Sequence, residues 1–212
     1  NPLIYSVKNN QNDIVLLLLD KNVNIDYNGA EGDDNPMIEA IKNNNEYIIN
    51  LLLQHNFNTD NYDRHIDTPL HFALLDKNMS TEIVTKLIYY GDLNIQNVNG
   101  TTPLHLLCKY HDMNNYSQVL LNKKMDIFIK DSYNKRPIDY LNGHNINNFM
   151  NVVVKNYSKQ LVDNGYHHIL NNIIKCNRKG NIKSAECAHE LKKYMFATER
   201  SIPILEDKLN LK

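Results

Sequence analysis

The residues best equipped for chemistry in this 212-residue chain are its nine histidines and three cysteines. His167, His168, Cys176, Cys187 and His189 are of the right types for zinc, but they lack the tight Cys-Cys and His-His pairing of structural sites. Buried, weakly polar thiols are therefore expected rather than a metal centre. His71 and His105 each follow a Pro-Leu pair and lie 34 residues apart. The same imidazole at the same local position points to a structural duty repeated by geometry, not to a unique reaction site. The chain has no glycine-rich phosphate loop, no G-x-S-x-G elbow and no H-E-x-x-H motif, and its carboxylates are scattered. No catalytic residue, metal or cofactor is assigned, and the expectation is that the protein is not an enzyme.

Composition narrows the classes further. At 42% hydrophobic and 22% charged, the chain reads as one or two soluble domains with enough length for a substantial core. Lys and Arg number 23 against 24 Asp and Glu, so no overall field attracts nucleic acid or an anionic membrane, and neither is expected as a partner. Three cysteines without a paired spacing suit a reducing compartment, and a cytoplasmic location is expected. The longest apolar run, Ile14 to Leu19, is far shorter than the roughly 20 residues of a bilayer crossing. Gly is scarce at 7, and Asn is abundant at 35, as an AT-rich genome would produce. The sequence opens on Asn1-Pro2 without Met, and a piece of a longer protein is expected.

What could position a site is a repeat. Asn1-Pro2-Leu3-Ile4, Asn35-Pro36-Met37-Ile38, Thr68-Pro69-Leu70-His71, Thr102-Pro103-Leu104-His105 and Arg136-Pro137-Ile138-Asp139 place their prolines 34, 33, 34 and 34 residues apart. A hydroxyl at the N-cap and a proline at the first helical position both favour a helix start, since that proline sacrifices no hydrogen bond. A second apolar stretch follows each, with Ile48, Leu51 and Leu52, or Ile83, Val84, Leu87 and Ile88, spaced to bury one helical face. Two helices cannot hide such stripes alone, so consecutive pairs must stack.

These residues resemble the ankyrin repeat, whose T-P-L-H-x-A motif matches best at residues 68–73 and 102–107. The resemblance covers residues 1–156 and implies an all-α solenoid of five helix pairs, at 1–27, 28–61, 62–95, 96–129 and 130–156, with short β-hairpin fingers between them. Residues 157–212 are expected to form C-terminal capping helices. The family ends its second helix on a left-handed glycine, a position held here by Asn22, Asn56 and Gly91. Lys124 departs from that pattern, which implies an altered helix end. The family's D-x-x-G-x-T finger turn is reproduced at Asn97–Thr102, and at Asp131–Arg136 with Asn134 replacing Gly. At Asp63–Thr68, β-branched Ile66 takes the glycine position and is expected to resist positive φ, altering the turn. Residues 28–34 read as a flexible acidic loop. Insertions near Asn78–Glu82 and Asp112–Ser117 are expected to bulge the helix–helix turns.

The family implies a protein partner held on the concave face. Carried over residue by residue, its contact positions are Arg64, His65 and Asp67, then Val98, Asn99 and Thr101, then Ser132, Tyr133 and Lys135 on the fingers. On the first helices they are Lys8, Asn9, Lys42, Asn43, Leu75, Asp76, Lys109 and Tyr110. Tyr133, Tyr110 and Arg64 are the strongest candidates, because Tyr and Arg dominate interface hot spots. The stretch Cys187-Ala188-His189-Glu190-Leu191 with Ser201-Ile202-Pro203-Ile204-Leu205 also resembles the segment preceding the F-box-like (PRANC) region of poxviral ankyrin proteins. That resemblance implies a virus-encoded, host-modulating protein that joins a target to subunits of a cullin-type ubiquitin ligase. The functional expectation is a non-enzymatic interaction scaffold. A ligase substrate adaptor and the regulatory array of a larger enzyme are the alternatives.

Overall fold

A computed structural model of the chain describes residues 1–26, 35–121, 123–127 and 129–141, together with Phe149 and Val152. The coordinates divide into units Asn1–Asn145 and Ile146–Lys212, and the architecture below belongs to the first. The acidic loop, the second helix of the fifth repeat apart from Phe149 and Val152, the capping helices and the Cys187–Leu205 stretch lie outside the described residues.

Each repeat begins as its first residues dictate. Asn1 Oδ1 accepts the Leu3 N–H at 2.8 Å, and Asn35 Oδ1 accepts those of Met37 and Ile38 at 2.9 and 3.2 Å. The Thr102 hydroxyl accepts from His105 N–H at 3.3 Å. Proline follows each of these caps, so the helix's unpartnered first donors are reduced by one and satisfied in part by the cap. The resulting first helices are α1 (Pro2–Lys8), α3 (Pro36–Lys42), α5 (Pro69–Leu75) and α7 (Pro103–Tyr110), and a 3-10 turn at Pro137–Tyr140 continues the series. The second helices are α2 (Asn12–Asp20), α4 (Glu46–Gln54), α6 (Thr81–Tyr90) and the short α8 (Ser117–Leu120), which follows a 3-10 turn at Met113–Tyr116.

The first helices stack in order, α1 on α3, α3 on α5, α5 on α7 and α7 on Pro137–Tyr140, and α1, α3 and α5 each lean on their own second helices, α2, α4 and α6. The centre of the interface is apolar. Val7, Met37, Ile41, Leu74, Leu104 and Leu107 of the first layer and Val15, Ile48, Leu52, Ile83 and Leu87 of the second are almost wholly withdrawn from solvent. No helix has an all-apolar circumference, so each is held by neighbours rather than by its own propensity. This is an all-α repeat solenoid.

Asparagine, rather than glycine, closes the first four helices. Asn10, Asn22, Asn44 and Asn56 have φ between 50 and 59°. In each case the N–H of the asparagine and that of the next residue return to carbonyls three and five positions back, as Asn56 does to Leu53 and Phe57 to Leu52 at 3.1 and 3.0 Å. Asn tolerates this left-handed conformation better than other side chains do. Gly91 does not behave as expected. Its backbone is extended, at φ −87° and ψ 166°, because α6 runs to Tyr90 and Gly91 N–H still bonds Leu87 O at 2.8 Å. Glycine is required there for space, since a Cβ would stand 2.9 Å from the Leu87 carbonyl oxygen. The altered end foreseen near Lys124 takes the form of an early stop, with α8 over at Leu120.

A second periodic device joins the loops that follow the second helices. Asp26 Oδ1 accepts the Asn58 N–H, Asp60 Oδ1 that of Asp92 and Asn94 Oδ1 that of Asp126, at 2.8, 2.8 and 2.7 Å. Each side chain thus satisfies an amide in the next repeat, where no helix or sheet supplies a partner. The inserted helix–helix turns carry their own closures: Asp76 Oδ1 accepts from Asn78, Asp112 Oδ1 from Asn114, and Ser80 caps α6.

Candidate functional site

The finger turns are built three times on one plan. Asp63 Oδ1 accepts the N–H groups of His65 and Asp67, Asn97 Oδ1 those of Asn99 and Thr101, and Asp131 Oδ1 those of Tyr133 and Lys135, all between 2.8 and 3.0 Å. Each turn is closed by two backbone bonds: the N–H groups of Asp63, Asn97 and Asp131 donate to the carbonyls of Asp67, Thr101 and Lys135, and those of Ile66, Gly100 and Asn134 donate to the carbonyls of Asp63, Asn97 and Asp131. The two-stranded fingers foreseen reduce to these turns: no strand occurs among the described residues, since arms this short hold no ladder. Gly100 and Asn134 take φ of 68 and 60°, as expected.

The expectation for Ile66 is overturned. Its φ is 61°, its N–H bonds Asp63 O at 3.0 Å, and its turn matches the other two. The Asp63 carboxylate, bonded to two amides, and the closing bond to Asp67 determine the loop so fully that the β-branched residue follows, at a cost of about 1–2 kcal/mol.

Neighbouring fingers are bonded to one another. Val98 N–H donates to His65 O at 2.9 Å, Ser132 N–H to Asn99 O at 3.0 Å, and Asn97 Nδ2 to Asp67 Oδ1 at 2.7 Å. Beneath them, His71 and His105 are buried. Each Nδ1 accepts a backbone N–H, from Thr68 or Thr102 at 3.1 Å, so each Nε2 carries the proton and donates to the next finger, at Thr101 O or Lys135 O, 3.1 Å away. Burial depresses the pKa of both imidazoles below the ordinary 6.5, against the opposing effect of those carbonyls and of nearby aspartates. They are neutral struts between repeats.

This scaffold sorts the candidate contact residues. Arg64, His65, Val98, Asn99, Ser132, Tyr133 and Lys135 are exposed on the fingers, and Lys42, Lys109 and Tyr110 are exposed on the helices. Four others are half-buried and bonded within the fold. Asp67 and Thr101 hold fingers together, and Asp76 closes its turn. Asn43 Nδ2 reaches back to Val7 O and Lys8 O at 3.0 and 3.2 Å, capping the end of α1, and His111 does the same for α5 through Leu74 O at 2.8 Å.

At the α7 end, Lys109, Tyr133 and Lys135 come together with Tyr140 and Asp139 around an open groove of about 540 Å³. Tyr140 and Asp139 were not among the expected contact positions. A signal existed: counted from the motif proline, Tyr140 sits where Phe72 sits in the third repeat. The structure uses that position alike, with Lys42 Nζ 5.3 Å from the Phe72 centroid and Lys109 Nζ 5.3 Å from that of Tyr140. The Tyr140 hydroxyl donates to Asp131 Oδ2. Burial and that carboxylate push the phenol up to about 12. Burial alone would raise the Asp131 carboxyl, but the Tyr140 hydroxyl and the amides of Lys135 and Tyr133 outweigh it and hold the group below its ordinary value.

Two further classes of site are addressed by the described residues. No cluster of three or more His, Cys, Asp or Glu side chains among them could hold a metal ion. His167, His168, Cys176, Cys187 and His189 lie outside those residues. Among the described residues, no helix is long and apolar enough to cross a membrane.

Comparison with known proteins agrees with this architecture. The family model described as ankyrin repeats, in three copies, matches residues 3–91. An ankyrin repeat protein, L371, of Acanthamoeba polyphaga mimivirus is 27% identical over 147 residues, covering 68% of this chain and 19% of that protein. A UPF0507 protein of Debaryomyces hansenii is 31% identical over 104 residues, covering 47% of this chain and 8% of its own length. The chain thus spans a small part of each relative.

Proposed function

Because this chain carries ankyrin repeats, a protein-interaction fold, we propose that it is a non-enzymatic scaffold holding a partner protein against the face formed by its fingers and first helices. The observation that carries this reading is the division of labour among side chains. His71, His105, Asp67, Asn97 and Asn43 bond one repeat to the next, while Arg64, Val98, Tyr110 and Tyr133 are exposed beside them. Apolar and aromatic groups fixed on bonded turns lose little conformational freedom on binding. The mimivirus relative supports a virus-encoded protein, for which a host protein is the natural partner, and the buried, unpaired Cys108 thiol fits a reducing compartment such as the cytoplasm. The ligase-adaptor reading rests on the Cys187–Leu205 stretch alone.

The test is affinity purification with mass spectrometry on the intact protein. Arg64→Ala, Val98→Ala and Tyr133→Ala together should abolish partner capture, whereas Tyr47→Ala with Tyr89→Ala, on the second helices, should not. Equal capture by both variants would reject the face.

A further inference from the structure

The groove at the α7 end identifies a chemistry for the partner. Lys109 Nζ lies 4.9 Å from the Tyr110 centroid and 5.3 Å from that of Tyr140, and Lys135 Nζ lies 5.2 Å from the same Tyr140 ring. Two ammonium groups therefore share one aromatic ring. Neither has a carboxylate within ion-pair distance among the described residues. The carboxylates nearby are committed elsewhere. Asp139 receives Arg136 through Nε at 3.0 Å and Nη2 at 2.8 Å, and Asp131 receives two amides and the Tyr140 hydroxyl.

Both lysines line the same groove, so an anionic group bound there would interact favourably with both charges. The phenol that donates to Asp131 keeps more electron density in its ring, which strengthens the hold on both cations and fixes where they stand. Lys42 provides the contrast. It too lies over a ring, that of Phe72, but Glu39 neutralises it at 2.8 Å. Of the lysines that stand over rings, Lys109 and Lys135 thus carry the charge that no carboxylate offsets among the described residues. Beside them, Tyr110 and Tyr133 are 51% and 78% exposed, so the anion site is flanked by aromatic surface.

We propose that this groove docks an acidic peptide segment of the partner protein, with Asp or Glu carboxylates between Lys109 and Lys135 and a neighbouring aromatic or aliphatic side chain against Tyr110 and Tyr133. The inference rests on the interaction face proposed above and adds its specificity. Two local cations suit a short acidic segment. A nucleic-acid backbone would require positive charge along the whole face, and Lys42 is already paired.

The experiment is selection of a random peptide display library on the full 212-residue chain, with affinities of the selected peptides measured by fluorescence anisotropy. The expected peptides are rich in Asp and Glu beside an aromatic residue. Lys109→Gln with Lys135→Gln should weaken them by about tenfold or more, with an unchanged thermal midpoint, and raised salt should do likewise. Lys77→Gln, in the turn after α5, should have no effect. Peptides without carboxylate enrichment, affinities untouched by the double substitution, or no selected peptide at all would overturn the inference. In those cases the purification described above still decides the broader reading: capture lost on finger substitution retains the face, and capture kept discards both.

Discussion

His71 Nε2 donates to the carbonyl oxygen of Thr101, 3.1 Å away across the boundary between two repeats, while its Nδ1 accepts the Thr68 N–H. His105 repeats the arrangement with Lys135 and Thr102. Both nitrogens are occupied in the neutral form, and a proton on Nδ1 would face an amide hydrogen that has no other acceptor there.

The pKa of each imidazole is lowered in the folded protein, chiefly by burial. The unfolded chain therefore takes up protons first as pH falls through its ordinary value near 6.5. The contribution of the two histidines is complete above that pH and declines below it, until the folded groups also titrate. Urea midpoints measured from pH 7.5 down to 5 should fall more steeply for the native protein than for His71→Asn with His105→Asn. Parallel pH profiles would remove the histidines as the cause.

Ile66, at φ 61° and 37% exposed, stores strain without deep burial. Replacing it by Asn, which adopts this conformation readily, should stabilise the array by about 1 kcal/mol. Denaturant titration provides the measurement, and an unchanged or lowered stability would show that the Ile66 side chain contributes more packing than strain.

The bond from Asp92 N–H to Asp60 Oδ1 gives a direct test of the loop ladder. Asp60→Ala should cost about 0.5–1.5 kcal/mol, the net value of one hydrogen bond at a solvent-accessible amide. Hydrogen exchange at Asp92 should accelerate in the same variant.

Core and face should separate cleanly. Leu104 is fully buried and Tyr133 is 78% exposed. Leu104→Ala should destabilise by about 2–5 kcal/mol, and Tyr133→Ala by no more than about 0.5 kcal/mol while it weakens partner binding. Comparable thermal losses from the two substitutions would mean that the fingers are part of the core.

Much of this arrangement is legible in the residues themselves. The recurrent proline with an N-cap before it marks α1, α3, α5 and α7, because both effects are local to a single helical turn. Apolar spacing likewise marks the second helices. The left-handed positions were only partly legible: Asn22, Asn56, Gly100 and Asn134 follow their residue type, while Ile66 and Gly91 do not. Asn10 and Asn44, ending α1 and α3, were missed. The abundance of Asn had an explanation in base composition, which obscured how many of these side chains close helices or bond neighbouring repeats.

The sequence by itself determined the period, the helix starts and the apolar stripe, since each depends on residues within a few positions of one another. Only the tertiary structure decided that Ile66 submits to its turn, that Gly91 serves clearance rather than conformation, and that Asp139 and Tyr140 join Lys109 and Lys135 in one groove. The groove depends on groups about thirty residues apart being pressed together by stacking, whereas Ile66 and Gly91 are settled by contacts within four residues whose combined geometry outweighs the preference of the single residue.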